Sequence, residues 1–122
     1  MYEVGITRRF SSAHRLRNYN GKCENLHGHN YRVEVVVYGD KLVNGMLIDF
    51  VLLKQKLDGI IKFLDHAYLN DIKPFTELEP SAENIAEYIY TTLSENFTGR
   101  VHLSCVKVWE SDDNWALYRK DK

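Results

Sequence analysis

Alternation between apolar and polar residues is clearest in the stretch HNYRVEVVVYG, residues 29–39. Apolar side chains occupy every second position from Tyr31 to Val37, so they share one face of an extended chain. Arg32 and Glu34 point to the opposite side. The stretch therefore predicts a β-strand with one buried and one polar face.

Weaker alternation extends this pattern in both directions along the chain. It predicts three further strands, at 2–13, 101–110 and 114–119. Residues 15–26 are rich in polar residues and glycine, which predicts a loop. Gly39-Asp40 ends the strand at 29–39, and the pair Asn44-Gly45 predicts a turn after it.

Two helices are predicted between the second and third strands. Asp49 is a suitable N-cap for the first, at 50–63. Its apolar residues recur at helical spacing, namely Phe50, Leu53, Leu57, Ile60, Ile61 and Leu64. Ser81 is predicted to cap the second, which Gly99 follows.

The order strand, strand, helix, helix, strand, strand predicts an α+β fold in a single domain over 1–122. We expect a four-stranded antiparallel sheet with both helices packed on one face. Four strands leave two open edges, and open edges favour pairing with another subunit. The sequence therefore predicts an oligomer.

Composition excludes several classes of function. The 122 residues carry a net charge of −1 with scattered lysine and arginine, which argues against a nucleic-acid surface. No apolar run is long enough to cross a bilayer, and the N-terminus lacks the pattern of a signal peptide. Both cysteines are expected to be reduced, so a cytoplasmic location is predicted. Cys105 lies within an apolar strand pattern, which indicates a buried structural thiol.

The segment Cys23-Glu-Asn-Leu-His27-Gly-His29 concentrates metal-binding residue types. His27 and His29 are two positions apart, so their rings share one side of an extended backbone. His14 ends another predicted strand. Three imidazoles with one open position are typical of a catalytic zinc site. Cys23 is either a fourth ligand, a nucleophile or a general base.

Two carboxylates, Asp65 and Glu110, are further candidates for the site. Asp65 precedes His66 directly after the first helix, and a carboxylate beside an imidazole can orient it for proton transfer. Glu110 ends a predicted strand, where it is either solvated or available to the paired N–H donors of a heterocycle such as a pterin. No phosphate-binding glycine loop, HExxH helix or GxSxG elbow is present.

Six ordered motifs resemble the 6-pyruvoyltetrahydropterin synthase family of tunnelling-fold enzymes. They are FSSAH ending at residue 14, CENLHGHNY from 23, LIDF at 47–50, LDHAYLN at 64–70, PSAEN at 80–84 and WE at 109–110. The resemblance covers nearly the whole chain. It is closest to the bacterial 6-carboxytetrahydropterin synthases of queuosine biosynthesis, because three residues separate Cys23 from His27.

The resemblance implies a role for each matching residue. His14, His27 and His29 correspond to the ligands of a zinc ion. Cys23, Asp65 and His66 correspond to the catalytic cysteine and its proton-relay partners. A third group corresponds to the pterin-binding residues, namely Glu110, with Ser81 and Glu83 as further candidates.

The implied reaction converts 7,8-dihydroneopterin triphosphate to 6-carboxytetrahydropterin, acetaldehyde and triphosphate. Two other pterin reactions remain open, one forming a 6-pyruvoyl product and one forming 6-hydroxymethyl-dihydropterin. Glu24 bears on the second, because some relatives in folate synthesis use a glutamate near this position. A non-catalytic domain stabilised by zinc is a third alternative. The resemblance also implies a hexamer of two trimers around a tunnel, with active sites between subunits.

Overall fold

The computed structural model describes residues 1–18 and 25–120. Five strands form one sheet, and two α-helices cover one of its faces. In chain order the elements are β1 (Tyr2–His14), β2 (His27–Gly39), α1 (Phe50–Leu64), β3 (Ala67–Tyr68), a short 3-10 helix (Leu69–Asp71), α2 (Ala82–Ser94), β4 (His102–Trp109) and β5 (Trp115–Tyr118). The predicted α+β class is confirmed, and the ends of the other predicted elements lie within two residues of the predicted ones. α2 is shorter than predicted, because it ends at Ser94 and not just before Gly99.

The sheet order is β3-β1-β2-β4-β5. β1 pairs with β2 in an antiparallel hairpin that runs from Tyr2 opposite Gly39 to His14 opposite His27. β2 also pairs with β4, and β4 with β5, both antiparallel. The first two strands therefore carry the paired histidines to the same end of the sheet.

The prediction of four antiparallel strands is wrong in one respect. Ala67–Tyr68 adds a fifth strand, which pairs parallel to β1 at Ser12 and Ala13. Two residues are too few to show a strand period in the sequence. β2, which carries Val35 and Val37, lies in the middle of the sheet. The open edges therefore lie at β5 and along the part of β1 that β3 leaves unpaired.

The core lies between the sheet and the helices. Tyr31, Val33, Val35 and Val37 are fully buried, as their alternation predicts. Burial of each such side chain contributes about 1.5–3 kcal/mol of hydrophobic free energy. α1 packs against β1, whereas α2 packs against β4 and β5. The described part of the chain contains no helix long and apolar enough to cross a membrane.

Both helices begin at the predicted caps. The Asp49 carboxylate accepts the Val51 N–H at 2.8 Å. The Ser81 hydroxyl accepts the Asn84 N–H at 3.2 Å. These bonds satisfy backbone donors that a helix leaves free in its first turn. The second cap also places the start of α2 beside His14, which Pro80 contacts.

Candidate functional site

Three histidines converge where β1 ends and β2 begins. One ring nitrogen from each of His14, His27 and His29 lies within 4.8 Å of the other two. The register explains this convergence, because His14 faces His27 across the hairpin and His29 follows two positions later. His14 is almost completely buried, and the other two rings are partly accessible. The predicted ligand set is therefore brought together in space.

Backbone carbonyl groups determine which nitrogens of two rings are available. His14 Nδ1 lies 2.7 Å from the Pro80 oxygen, and His27 Nδ1 lies 2.8 Å from the Asn25 oxygen. A carbonyl oxygen only accepts, so both Nδ1 atoms carry the proton in the neutral rings. Both Nε2 atoms then present lone pairs, and they face each other across 3.2 Å. Two acceptors at that distance repel unless a cation or a proton lies between them.

The spacing of these nitrogens fits a tetrahedral metal ion. Zinc–nitrogen bonds of about 2.0–2.1 Å at tetrahedral angles place two ligand nitrogens about 3.3 Å apart. The observed separation of the His14 and His27 Nε2 atoms is 3.2 Å. Carbonyl groups that hold the opposite ring nitrogens are the usual outer partners of metal-binding histidines. The residues present therefore fit a zinc-type ion.

Glu110 lies beside the same cluster. Its carboxylate oxygens are 3.5 Å from His29 Nε2 and 3.9 Å from His14 Nε2. The residue follows β4, and its N–H bonds to the Asn114 oxygen at 3.0 Å, which closes the turn into β5. Glu110 also borders a cavity of about 450 Å³, shared with Glu83 and Trp115. It therefore connects the histidine cluster with a space large enough for a small ligand.

Asp65 and His66 contact each other despite being neighbours in sequence. His66 Nδ1 lies 3.0 Å from Asp65 Oδ2, and the imidazole is 83% exposed. His66 has a φ of 53°, a left-handed value that few non-glycine residues adopt. Its backbone N–H donates to the Ser11 oxygen. The dyad is thereby fixed to β1 with His66 Nε2 directed away from the carboxylate.

The same segment of β1 lowers the pKa of Asp65. The chief cause is the Ser11 N–H, which donates to Asp65 Oδ1 at 2.9 Å and stabilises the ionised form. The His66 side chain lowers the pKa further. The carboxylate is thus held in the charged state that orients the imidazole. His66 borders a second cavity, of about 470 Å³, whose lining also includes His29.

The remaining predicted residues, Glu83, Ser81, Cys23 and Glu24, differ in where they lie. Glu83 is exposed on α2 and borders the cavity of Glu110. The Ser81 hydroxyl instead caps α2, and Ala82 takes its place in the lining of that cavity. Cys23 and Glu24 lie outside the described residues.

Comparison with known proteins decides the family. The model of the family described as 6-pyruvoyl tetrahydropterin synthase matches residues 3–121. The chain belongs to this family. The resemblance expected from the six motifs is confirmed.

Relatives within the 6-pyruvoyl tetrahydropterin synthase family carry several activities. A 6-carboxy-5,6,7,8-tetrahydropterin synthase from Synechocystis is 40% identical, over 89% of this chain and 86% of its own. A dihydroneopterin monophosphate aldolase from Pyrococcus furiosus is 38% identical, over 85% of both chains. The 6-pyruvoyl tetrahydropterin synthase structure from Caenorhabditis elegans matches with a TM-score of 0.81 and 27% identity, covering 99% of this chain and 98% of that one. These relatives confirm that the chain is an enzyme, a lyase.

Three further residues of this site lie within the quoted motifs, but the sequence does not show the contacts that they make. The Pro80 carbonyl that holds His14 is a backbone group, which no side-chain pattern reveals. The fully buried Tyr31 places its hydroxyl 3.1 Å from the same His14 Nδ1. Asn70 accepts the Arg15 N–H at 3.0 Å and donates to the Arg15 oxygen at 2.9 Å. Asn70 lies in the motif LDHAYLN, which is the sequence signal that could have identified it.

Cys105 is buried, as its strand pattern predicts. Removal from water raises the pKa of its thiol, which keeps it protonated and unreactive at neutral pH.

Proposed function

We propose that this chain is a zinc-dependent lyase that converts 7,8-dihydroneopterin triphosphate and water to 6-carboxy-5,6,7,8-tetrahydropterin, acetaldehyde and triphosphate. The observation that carries the proposal is the convergence of the three histidine nitrogens within 4.8 Å, in a chain 40% identical to a synthase of that name. Queuosine biosynthesis is the route proposed for the product. A single catalytic domain in the cytoplasm is part of the same proposal.

His14, His27 and His29 would hold the zinc ion through their ring nitrogens. Bound there, the ion would supply Lewis-acid chemistry toward the hydroxyl groups of the substrate side chain, which would make the neighbouring protons more acidic. The carbonyl contacts of His14 and His27 support this assignment, because they leave both Nε2 lone pairs directed into the cluster. Burial of His14 limits the access of water to one side of the site.

Proton movement is assigned to Cys23 and to the Asp65–His66 dyad. Asp65 accepts the Nδ1 proton of His66, so His66 Nε2 is free to take up or deliver a proton. The ionised state of Asp65, favoured by its lowered pKa, also stabilises the imidazolium that forms. Cys23 as a thiolate is the proposed base on the other side of the substrate. No prosthetic redox group is required, because oxidation of one side-chain carbon accompanies reduction of the ring and of the departing two-carbon unit.

Glu110 is the proposed anchor for the pterin ring. A carboxylate can accept two parallel N–H bonds from the amino-pyrimidine edge of a pterin, an arrangement that fixes ring orientation. The position of Glu110 between the histidines and the cavity of about 450 Å³ supports this role. Glu83 is proposed to line the same pocket. Ser81 is proposed to contribute indirectly, by capping α2. The first residue of that helix, Ala82, lines the pocket.

A hexamer of two trimers, with active sites between subunits, is the proposed assembly. Two features of the chain support it. The edge strands β5 and β1 offer unpaired backbone groups for strand pairing between copies. His66 is 83% exposed in the single chain, whereas general acid–base chemistry works best where water is excluded.

Aldol-type cleavage of a dihydroneopterin phosphate is a second candidate. The relative from Pyrococcus furiosus, named dihydroneopterin monophosphate aldolase, is nearly as similar in sequence as the Synechocystis synthase. Glu24 is the residue that favours this alternative, since a carboxylate next to Cys23 offers a second general base. The expected product is 6-hydroxymethyl-dihydropterin.

Product analysis discriminates the candidates. The zinc-loaded protein is incubated anaerobically with 7,8-dihydroneopterin triphosphate and, separately, with the monophosphate. The proposal predicts 6-carboxytetrahydropterin from the triphosphate. A 6-pyruvoyl or 6-hydroxymethyl product from either substrate would overturn the proposed product while retaining the family chemistry.

A further inference from the structure

The start of α2 presents a backbone carbonyl group to one of the proposed metal ligands. The Pro80 oxygen lies 2.7 Å from His14 Nδ1, and Pro80 is the residue immediately before the cap Ser81. Both Pro80 and His14 are buried. This carbonyl group therefore helps to set the tautomer and the tilt of the His14 ring, together with the Tyr31 hydroxyl 3.1 Å from the same nitrogen.

Asn84 holds the residue on the other side of Pro80. Its side-chain amide donates to the Glu79 oxygen at 2.9 Å, while its backbone N–H donates to the Ser81 hydroxyl at 3.2 Å. The Glu79 oxygen only accepts, so the amide NH₂ group must face it. Asn84 thus binds to the residues that precede and follow Pro80.

The side chain at this position departs from the usual helix-start pattern. Asn84 is the third residue after the cap, where a glutamate or glutamine commonly reaches back to the N–H of the capping residue. A carboxylate at that position also gains from the helix dipole. The Asn84 amide instead donates a hydrogen bond to the Glu79 carbonyl oxygen. A carboxylate has no hydrogen to donate and cannot form this bond.

Hydrogen bonds to Glu79 and to Ser81 restrain the orientation of the Pro80 carbonyl group, which lies between these residues. The ring of Pro80 already restricts its φ. With the carbonyl of Glu79 and the hydroxyl of Ser81 both bound to α2, the remaining rotation of the Pro80 carbonyl is restricted as well. The carbonyl is therefore directed at His14 before any metal binds.

We infer that Asn84 is a positioning residue for the metal site, acting on His14 through the Pro80 carbonyl. The inference rests on the proposed ligand role of His14, His27 and His29. Outer partners of metal-binding histidines typically change metal affinity by about 10–100-fold when lost. Asn84 does not contact His14 itself and acts through the peptide that joins Glu79 to Pro80. We therefore expect about a tenfold loss of metal affinity, the lower end of that range.

Two substitutions separate positioning from folding. Asn84→Ala removes the donor without adding charge, and Asn84→Asp removes the donor while keeping a residue that favours the start of a helix. Asp49→Ala is the control for a weakened helix start, because it removes the side chain that caps α1, away from the histidines. Zinc and cobalt affinities are measured on the purified full chain by competition with a chromophoric chelator. Urea unfolding of the metal-free proteins is measured in parallel.

Positioning predicts that both Asn84 variants lose about tenfold in metal affinity. Asn84→Asp should keep the wild-type urea midpoint or exceed it. Asp49→Ala should lower the midpoint and retain the wild-type affinity. Wild-type affinity in both Asn84 variants would overturn the inference alone, as would a loss of affinity in Asp49→Ala that matches theirs. A wild-type protein that binds no zinc, or a His14→Ala variant that binds it normally, would overturn the metal site and this inference together.

Discussion

The Nε2 atoms of His14 and His27 face each other across 3.2 Å, with the opposite nitrogen of each ring held by a carbonyl group. In the proposed metal site this pair would be a preformed half, since the lone pairs converge before an ion binds. Removing one ring should therefore remove most of the affinity. We expect His27→Ala to lose stoichiometric zinc after dialysis, measured by elemental analysis.

His102→Ala is the control for that loss. His102 is exposed at the other end of β4, where its ring lies 5.2 Å from that of Tyr38. This variant should retain one zinc per chain. Equal zinc content in the two variants would contradict the assignment of His27 as a ligand.

Glu110→Gln distinguishes a pterin anchor from a metal ligand. The amide keeps the size of the side chain but loses the charge that strengthens paired N–H bonds. If Glu110 anchors the ring, affinity for a pterin analogue should fall about tenfold or more, the effect of losing a hydrogen bond to a charged group. Zinc content should stay at one per chain. A loss of zinc with unchanged pterin affinity would show that Glu110 is instead a metal ligand.

Asp65→Asn should lower stability in a pH-dependent way. The pKa of Asp65 is lowered below 3.8 in the folded chain, so the ionised form is the one that folding stabilises. This contribution is complete above the unfolded pKa, about 4, and is lost as pH falls through the lower folded value. Urea unfolding should show the variant less stable at pH 7, with the difference from wild type shrinking below pH 4. A difference that stays constant over that range would contradict the lowered pKa.

Asn70→Ala should destabilise the segment that follows His14. The Asn70 side chain is only 7% exposed and bonds to both the N–H and the carbonyl of Arg15. Leaving these groups without the amide should cost about 1–3 kcal/mol of unfolding free energy. The exposed Asn96→Ala is the matched comparison, with an expected change within about 0.5 kcal/mol. Similar urea midpoints for the two variants would contradict a stabilising role for the two Asn70–Arg15 hydrogen bonds.

Much of the fold follows from local patterns in the sequence. Alternation from Tyr31 to Val37 correctly assigns the buried face of β2, because that face packs directly on the helices. The caps Asp49 and Ser81 correctly mark both helix starts. The Asn44-Gly45 pair is also found in a turn with positive φ at both residues.

The remainder depends on contacts that no local pattern encodes. β3 is defined by its pairing with β1 at two positions and has no period of its own. Contact within the Asp65–His66 pair depends on the left-handed backbone at His66, which brings adjacent side chains together. The tautomer of His14 depends on a carbonyl group 66 residues away in sequence. Residue types thus predicted which groups take part, and tertiary packing determines how they are oriented.

The two-carbon aldehyde released during turnover distinguishes the proposed reaction from both alternatives. The zinc-loaded enzyme is supplied with 7,8-dihydroneopterin triphosphate, and the aldehydes are trapped as hydrazones and identified by mass spectrometry. Formation of the 6-carboxy product predicts acetaldehyde in equal amount to free triphosphate, with none from Cys23→Ala. Release of phosphorylated glycolaldehyde would contradict the account in favour of aldol cleavage, and turnover without any aldehyde would contradict it in favour of a 6-pyruvoyl product.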